Sequence, residues 1–309
     1  MVSLRKKELR QIREVVFFAS FEHTASVRKL DGGLSTALEE RGNILTGSLW
    51  TGELLRTAPK EIEKAHRAFV DAGAQIITSS AYQISFTGCS ERGWSDRDVI
   101  DALILSTTLV REAANGNVPI AASIGPYGAA LADGSEYRGR YAASKSAIRE
   151  FHKQRLEILI NTEPDYLALE TMPDIDEVEI LVDLIAQSET KIPFWVAYSC
   201  KEGALTNAGQ RFSEAVELVC EQPGAMAVGI NCTAPELIAP LLRSAHSSLP
   251  FIVYPNAGRT WDAKTKQWIG SPKRGFATDM IAEWIELGAE IIGGCCGISP
   301  KDIEKMELS

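Results

Sequence analysis

Ile291-Ile292-Gly293-Gly294-Cys295-Cys296-Gly297 reads as a β-strand that stops abruptly and presents two thiols at its end. Neighbouring side chains on a regular strand point to opposite faces, so both sulfurs can reach one point only where the backbone bends. The flanking glycines allow that bend, because they accept backbone angles closed to other residues. A second apolar run, Ala225-Met226-Ala227-Val228-Gly229-Ile230-Asn231-Cys232, also ends in a cysteine. Three thiols from two strand ends suggest a metal with one position left open.

Working outward from these runs, short apolar stretches recur at 27–31, 74–79, 118–124, 165–170, 192–198, 225–231, 249–254 and 289–294. The first is weak. Between them, residues 59–71, 96–115, 145–161, 175–187, 212–221, 235–244 and 277–287 carry helical periodicity. A strand, helix, strand, helix series implies parallel strands, and eight repeats predict an α/β fold, a single-domain (β/α)8 TIM-type barrel. A doubly wound open sheet is less favoured, because no G-x-G-x-x-G follows any strand.

Barrel enzymes do their chemistry at the C-terminal ends of the strands. Those ends carry Asp31-Gly32-Gly33, Thr78 with Tyr82, Gly125 to Gly128, Glu170-Thr171, Asn231-Cys232, Tyr254-Pro255-Asn256 and Cys295-Cys296. Two long connections, 125–144 and 256–275, leave from the same rim, and long loops in compact domains are often lids or binding loops.

The composition narrows the class. A net charge of -9 argues against a nucleic-acid or anionic-membrane partner, either of which would need a basic face. No apolar run approaches the roughly 20 residues needed to cross a bilayer, and the stretch at 15–19 is too short for a signal-peptide core. A cytoplasmic protein acting on small molecules is expected. Its six cysteines lack the density of a secreted disulfide scaffold.

Zinc suits Cys232, Cys295 and Cys296, since thiolates are among its preferred ligands and three protein ligands with one open position is the catalytic pattern. The bland readings are a small buried hydrophobe for Cys232 and a vicinal disulfide or two inert thiols for Cys295 and Cys296. Cys89, Cys200 and Cys220 have no such setting, and the histidines read as packed or solvated. Three thiolates leave zinc a weak Lewis acid, so its natural use is to hold a substrate thiol as thiolate, the reactive form. Alkyl transfer to sulfur follows as the reaction class, with Asp31 and Glu170 as acceptors for a substrate ammonium; singly, either could be a helix cap or a solvated acid.

Asp31-Gly32-Gly33 with Leu38-Glu39 and Arg41-Gly42, Gly229-Ile230-Asn231-Cys232, and Gly293-Gly294-Cys295-Cys296-Gly297 together resemble the homocysteine S-methyltransferase family, over nearly the whole chain from residue 30. Gly125-Pro126-Tyr127-Gly128-Ala129, Leu131 to Gly139, and Val253 to Gly258 look like its S-methylmethionine-dependent branch. The resemblance implies a (β/α)8 barrel with one zinc on three cysteines, matching Cys232, Cys295 and Cys296. It implies methyl transfer from S-methylmethionine or S-adenosylmethionine to L-homocysteine. Asp31 and Glu170 match positions that hold the homocysteine amino group, the backbone around Gly32 and Thr78 matches the region facing its carboxylate, and Asn231 joins the substrate-binding set. Tyr82, Tyr127 and Trp50 are candidates for an aromatic wall around the sulfonium.

Some features depart from the pattern. Ser26-Val27-Arg28-Lys29-Leu30 is too polar for a buried barrel strand, so the first strand is irregular or residues 15–19 take part. Ala37 replaces an acid found in some relatives. Residues 1–29 read as an N-terminal extension, helical or disordered, and 30–309 as the barrel. The absence of an oligomerising C-terminal extension favours a monomer or weak homodimer. The alternatives are a related thiol or selenol methyltransferase using selenocysteine or betaine, and a non-catalytic zinc or redox barrel.

Overall fold

The computed structural model describes residues 26–45, 49–258, 260–262, 267–269 and 275–308. The 15–19 run, the rest of the expected extension up to residue 25, and half of the 256–275 connection lie outside these residues.

Eight parallel strands form one sheet: β1 (Arg28–Lys29), β2 (Ile77–Thr78), β3 (Ile120–Ile124), β4 (Tyr166–Met172), β5 (Phe194–Tyr198), β6 (Ala225–Asn231), β7 (Phe251–Tyr254) and β8 (Ala289–Ile292). Each pairs with its neighbour in sequence, and β8 returns to β1 through Arg28 opposite Ile291 and Lys29 opposite Ile292. The ring closes between β1 and β2, where Leu30 bridges Ile76 in parallel and the Asp31 amide donates to the Ile76 carbonyl at 3.1 Å. The expected (β/α)8 barrel is the observed fold.

The apolar runs are strands because helices cover their outer face while the barrel interior covers the other. Inside, Trp195, Tyr166, Leu30 and Ile252 fill the axis, with small Ala121, Ala168, Ala197 and Ala227 between them. Outside, a larger layer packs strands against helices. Local chemistry fixes the helix starts. Ser95 and Asp98 form a reciprocal capping box on Asp96–Ala114, Ser144 caps Lys145–Asn161, and Asp174 caps Ile175–Gln187. The expected helix at 235–244 is instead a 3-10 turn, Pro235–Leu237, running into a short α-helix, Ile238–Arg243.

The polar β1 is explained by its partners. It is two residues long and only half-buried. Lys29 sends its Nζ to the Ile303 carbonyl at 3.1 Å, near the end of the helix Pro300–Lys305, where a cation complements the exposed carbonyls.

The connection after β3 is not an open loop. It holds a short helix, Tyr127–Leu131, and a 3-10 turn, Ser135–Tyr137. No helix among the described residues is long and apolar enough to cross a membrane.

Candidate active site and metal centre

After β8 the backbone bends as the glycines suggested. Gly293 N donates to the Val253 carbonyl at 3.0 Å, Gly294 N to the Asp31 carbonyl at 2.9 Å and Cys295 N to the Pro255 carbonyl at 2.8 Å, which ties the segment to both flanking strand ends. Gly297 has φ +86° and donates its amide to Thr36 Oγ1 at 2.9 Å. A Cβ on Gly294 would stand 2.3 Å from Ile298 Cγ2, so the turn has no room for a side chain there. Cys232, just past β6, takes the left-handed region with φ +46°, an uncommon conformation for a non-glycine residue. It is held there by its amide on the Tyr254 carbonyl at 3.2 Å and by Asn256 Nδ2 on its own carbonyl at 3.2 Å.

These bends converge the three thiols. Cys232 Sγ lies 2.8 Å from Cys295 Sγ and 3.7 Å from Cys296 Sγ, with 4.0 Å between the last two. None is in a disulfide. Tyr137 Oη adds a contact to Cys232 Sγ at 3.5 Å. Contacts from Cys295 and Cys296 hold the Cys232 thiol well below the usual range, and the same contacts, with burial, push the other two well above it. Among the described residues this is the one cluster of three or more potential metal-ligating side chains. Cys89 and Cys200 are buried elsewhere, and burial raises both thiols.

The thiols open into a cavity on the rim that also exposes Asp31, Glu170, Trp50, Thr78 and Tyr82. Burial pushes the Asp31 carboxyl up to about 8, with Glu170 adding a smaller repulsion against the lowering effect of Thr78. Thr78 donates its amide to Asp31 Oδ2 at 2.7 Å and its hydroxyl at 3.0 Å. Burial likewise pushes Glu170 up to about 7, against hydrogen bonds from Ser123 and Tyr254. No lysine, arginine or histidine is among the described residues that line the cavity. A site walled by acids and thiols suits a cationic or ammonium-bearing ligand.

The sequence-derived residues divide into groups. Cys232, Cys295, Cys296, Asp31, Gly32, Thr78, Tyr82, Glu170 and Trp50 all border the one cavity. The Thr78 amide is already committed to Asp31. Asn231 is 1 % exposed, and its side chain is engaged at both ends with Thr171. The Tyr127 ring lies outside the cavity, packed on Tyr141 and Phe151 with ring centroids 5.3 and 5.0 Å away. His66 and His152 are fully packed, with burial pushing both imidazoles down. Glu136, Tyr137 and Thr171, to which sequence reasoning assigned no role, also line the cavity. The 3-10 turn Ser135–Tyr137 delivers the first two. The turn signal Asp133-Gly134-Ser135 was there to be read, with Gly134 at φ +81° and the Ser135 amide on Asp133 Oδ1 at 2.9 Å.

The closed parallel barrel gathers thiols and carboxylates in one cavity on its C-terminal rim, the face on which barrel enzymes carry their active sites. The profile of the homocysteine S-methyltransferase family matches residues 29–308. Homocysteine S-methyltransferase 1 of Arabidopsis thaliana is 36% identical over 296 residues, covering 89% of this chain and 90% of that one. Homocysteine S-methyltransferase YbgG of Bacillus subtilis is 36% identical over 291 residues, covering 90% and 92%. Among solved structures, the metallated form of the homocysteine methyltransferase MmuM from Escherichia coli superposes with a TM-score of 0.80 at 33% identity, covering 91% of this chain and 95% of that one. The chain belongs to the homocysteine S-methyltransferase family, and it is a methyltransferase.

Proposed function

We propose that the protein transfers a methyl group from S-methylmethionine, or S-adenosylmethionine, to L-homocysteine, with one zinc ion on Cys232, Cys295 and Cys296. The observation that carries this reading is the meeting of three sulfurs, all within 4.8 Å of one another, with the buried Asp31 and half-buried Glu170 carboxylates in a single cavity. The donor set fits zinc. A tetrahedral ion with Zn–S of about 2.3 Å spaces its sulfurs by roughly 3.8 Å, close to two of the three separations, 3.7 and 4.0 Å; the Cys232–Cys295 pair is tighter at 2.8 Å. Zinc bound there supplies a substrate sulfur held as thiolate at neutral pH, where a free thiol with pKa of about 8.5 is mostly protonated.

The chain's own residues do the rest. Asp31 and Glu170 receive the homocysteine ammonium, whose charge restores both carboxylates to the ionised form. Gly32 and Thr78 border that pocket, with Thr78 steadying the Asp31 carboxylate, and Asn231 acts from behind it by bracing Thr171. Trp50 and Tyr82 offer ring surface to a sulfonium. A lone pair on the homocysteine sulfur forms the new S–C bond, and the donor's C–S bond breaks with its electron pair retained on the donor sulfur, which leaves as a neutral thioether. No proton moves in that step. Holding both partners in line contributes about 7 kcal/mol or more in favourable systems.

The same reading takes residues 30–309 as the catalytic unit and 1–29 as an extension. It places a monomer or weak homodimer in the cytoplasm, acting on small molecules; the acidic net charge of -9 supports the absence of a nucleic-acid or membrane partner.

Initial rates of methionine formation from homocysteine with S-methylmethionine, S-adenosylmethionine and betaine as donors test the proposal. Turnover with a sulfonium is expected. Strong turnover with betaine and none with either sulfonium would reject the donor assignment.

A further inference from the structure

Glu136 is the third acid of the cavity. Its backbone is held on several sides. The carbonyl accepts Ser199 Oγ at 3.3 Å, and the amide abuts Gly128, where a Cβ would stand 2.5 Å away. The residue is 9 % exposed, and Oε2 has no hydrogen-bond partner. The cation beside it in sequence, Arg138, turns outward to Asp133 and the Ser135 hydroxyl.

A buried carboxylate oxygen without a partner opposes folding unless a ligand satisfies it. The described residues around the cavity include no basic side chain that could do so. The adjacent Tyr137 touches Cys232 Sγ, so Glu136 stands beside the place where the reacting sulfurs must meet. With Asp31 and Glu170 taken by the homocysteine ammonium, a third carboxylate at the reacting end matches the second substrate's charge.

We propose that the Glu136 carboxylate receives the positive charge of the methyl donor's sulfonium. This rests on the sulfonium-donor reading above and adds to it the residue that selects the donor.

The reaction itself sets the kinetic signature. As the methyl group leaves, the donor sulfur goes from sulfonium to neutral thioether. An ion pair to that sulfur is therefore stronger in the ground state than in the transition state. Removing it should weaken donor binding without slowing the chemical step.

The test compares wild type, Glu136→Gln and Glu136→Asp, all zinc-loaded, with two donors: S-methylmethionine, and dimethylsulfoniopropionate, a sulfonium with no ammonium group. Donor KM and kcat come from initial rates, and each donor is also titrated into the protein by calorimetry. Glu136→Gln is expected to raise KM and Kd for both donors by roughly tenfold or more. Its kcat, homocysteine KM and zinc content should hold, and Glu136→Asp should recover part of the loss. Unchanged donor affinity would overturn the proposal. So would an effect confined to S-methylmethionine, which would put the contact on the ammonium, or a rise in homocysteine KM. Absence of turnover by wild type with any sulfonium would sink the transfer reading, while the titrations would still decide the role of Glu136.

Discussion

Asn231 and Thr171 exchange two hydrogen bonds on the rim: Thr171 N donates to Asn231 Oδ1 at 2.6 Å, and Asn231 Nδ2 donates to Thr171 Oγ1 at 2.7 Å. Thr171 has φ +59°, and Cys232, the residue after Asn231, has φ +46°. One side chain thus joins the backbone that follows Glu170 to the backbone that presents Cys232. Asn231→Ala strands a buried amide and should lower stability by about 1–3 kcal/mol. Urea unfolding reads the loss directly. A weaker zinc affinity should accompany it, and a variant with unchanged midpoint and unchanged zinc binding would remove Asn231 from the account.

Gly229 lies against β7 with no space for a methyl group. A Cβ there would stand 1.8 Å from the Ile252 carbonyl oxygen and 2.7 Å from its carbon, both backbone atoms that cannot swing aside. Gly229→Ala must therefore spread β6 from β7, the two strands whose ends present Cys232 and the Asn256 amide. Overpacking of this kind lowers stability by about 1–3 kcal/mol or more. A thermal midpoint equal to that of wild type would contradict the stated contact.

Asp31 and Glu170 make ligand binding and stability depend on pH in opposite senses. Their carboxyls stand at about 8 and about 7, above ordinary values of 3.8 and 4.5. The metal-free native state therefore binds more protons than the unfolded chain between these limits. The stability contribution is complete below pH of about 4 and is lost as pH rises through 7 to 8. The metal-free protein should be less stable at pH 9 than at pH 6. An ammonium ligand favours the ionised carboxylates, so homocysteine affinity should instead strengthen from pH 6 to pH 8, with proton release. Calorimetry in buffers of differing ionisation enthalpy measures this, and Asp31→Asn should release fewer protons than wild type; equal proton release by both would contradict the assignment.

Behind the cavity, Glu177 anchors the connection that carries Glu136 and Tyr137. Its Oε1 accepts the Tyr127 amide at 2.5 Å and lies 2.7 Å from His152 Nε2, and its Oε2 accepts the Tyr141 hydroxyl at 2.9 Å. Arg155, fully buried, reaches the Gly125 carbonyl at 3.2 Å and the Tyr82 carbonyl at 3.1 Å. Tyr141→Phe removes one hydrogen bond to a buried carboxylate, worth about 1.5–3 kcal/mol. The connection should become more susceptible to proteolysis and kcat/KM should fall, with zinc content kept. An unaltered cleavage pattern would show that Glu177 does not hold the loop.

Most of the barrel could be read from the sequence, because strands buried on both faces leave unbroken apolar runs. The starts of the long helices were legible at the capping residues Ser95, Ser144 and Asp174, whereas Phe86–Ser90 and Pro300–Lys305, capped by Ser85 and Ser299, are too short for periodicity to register. β1 was legible only as the weak stretch 27–31, because its place depends on ladder partners, Ile291 and Ile292, rather than on its own polar residues. The helix Leu34–Glu40 has no side-chain cap, and Tyr127–Leu131 is five residues long, too short for periodicity to register. The cavity residues that end strands were legible one by one. Glu136 and Tyr137 were not, since a 3-10 turn inside a long connection gives no sign of which way its side chains face.

The most direct measurement is metal content together with methyl transfer, in wild type and in Cys296→Ala. Wild type should bind about one zinc per chain, as a three-thiolate site requires, and should form methionine from homocysteine and S-methylmethionine. The variant should lose both metal and activity. A Cys296→Ala protein that retained full activity would contradict the metal-binding role of the three sulfurs.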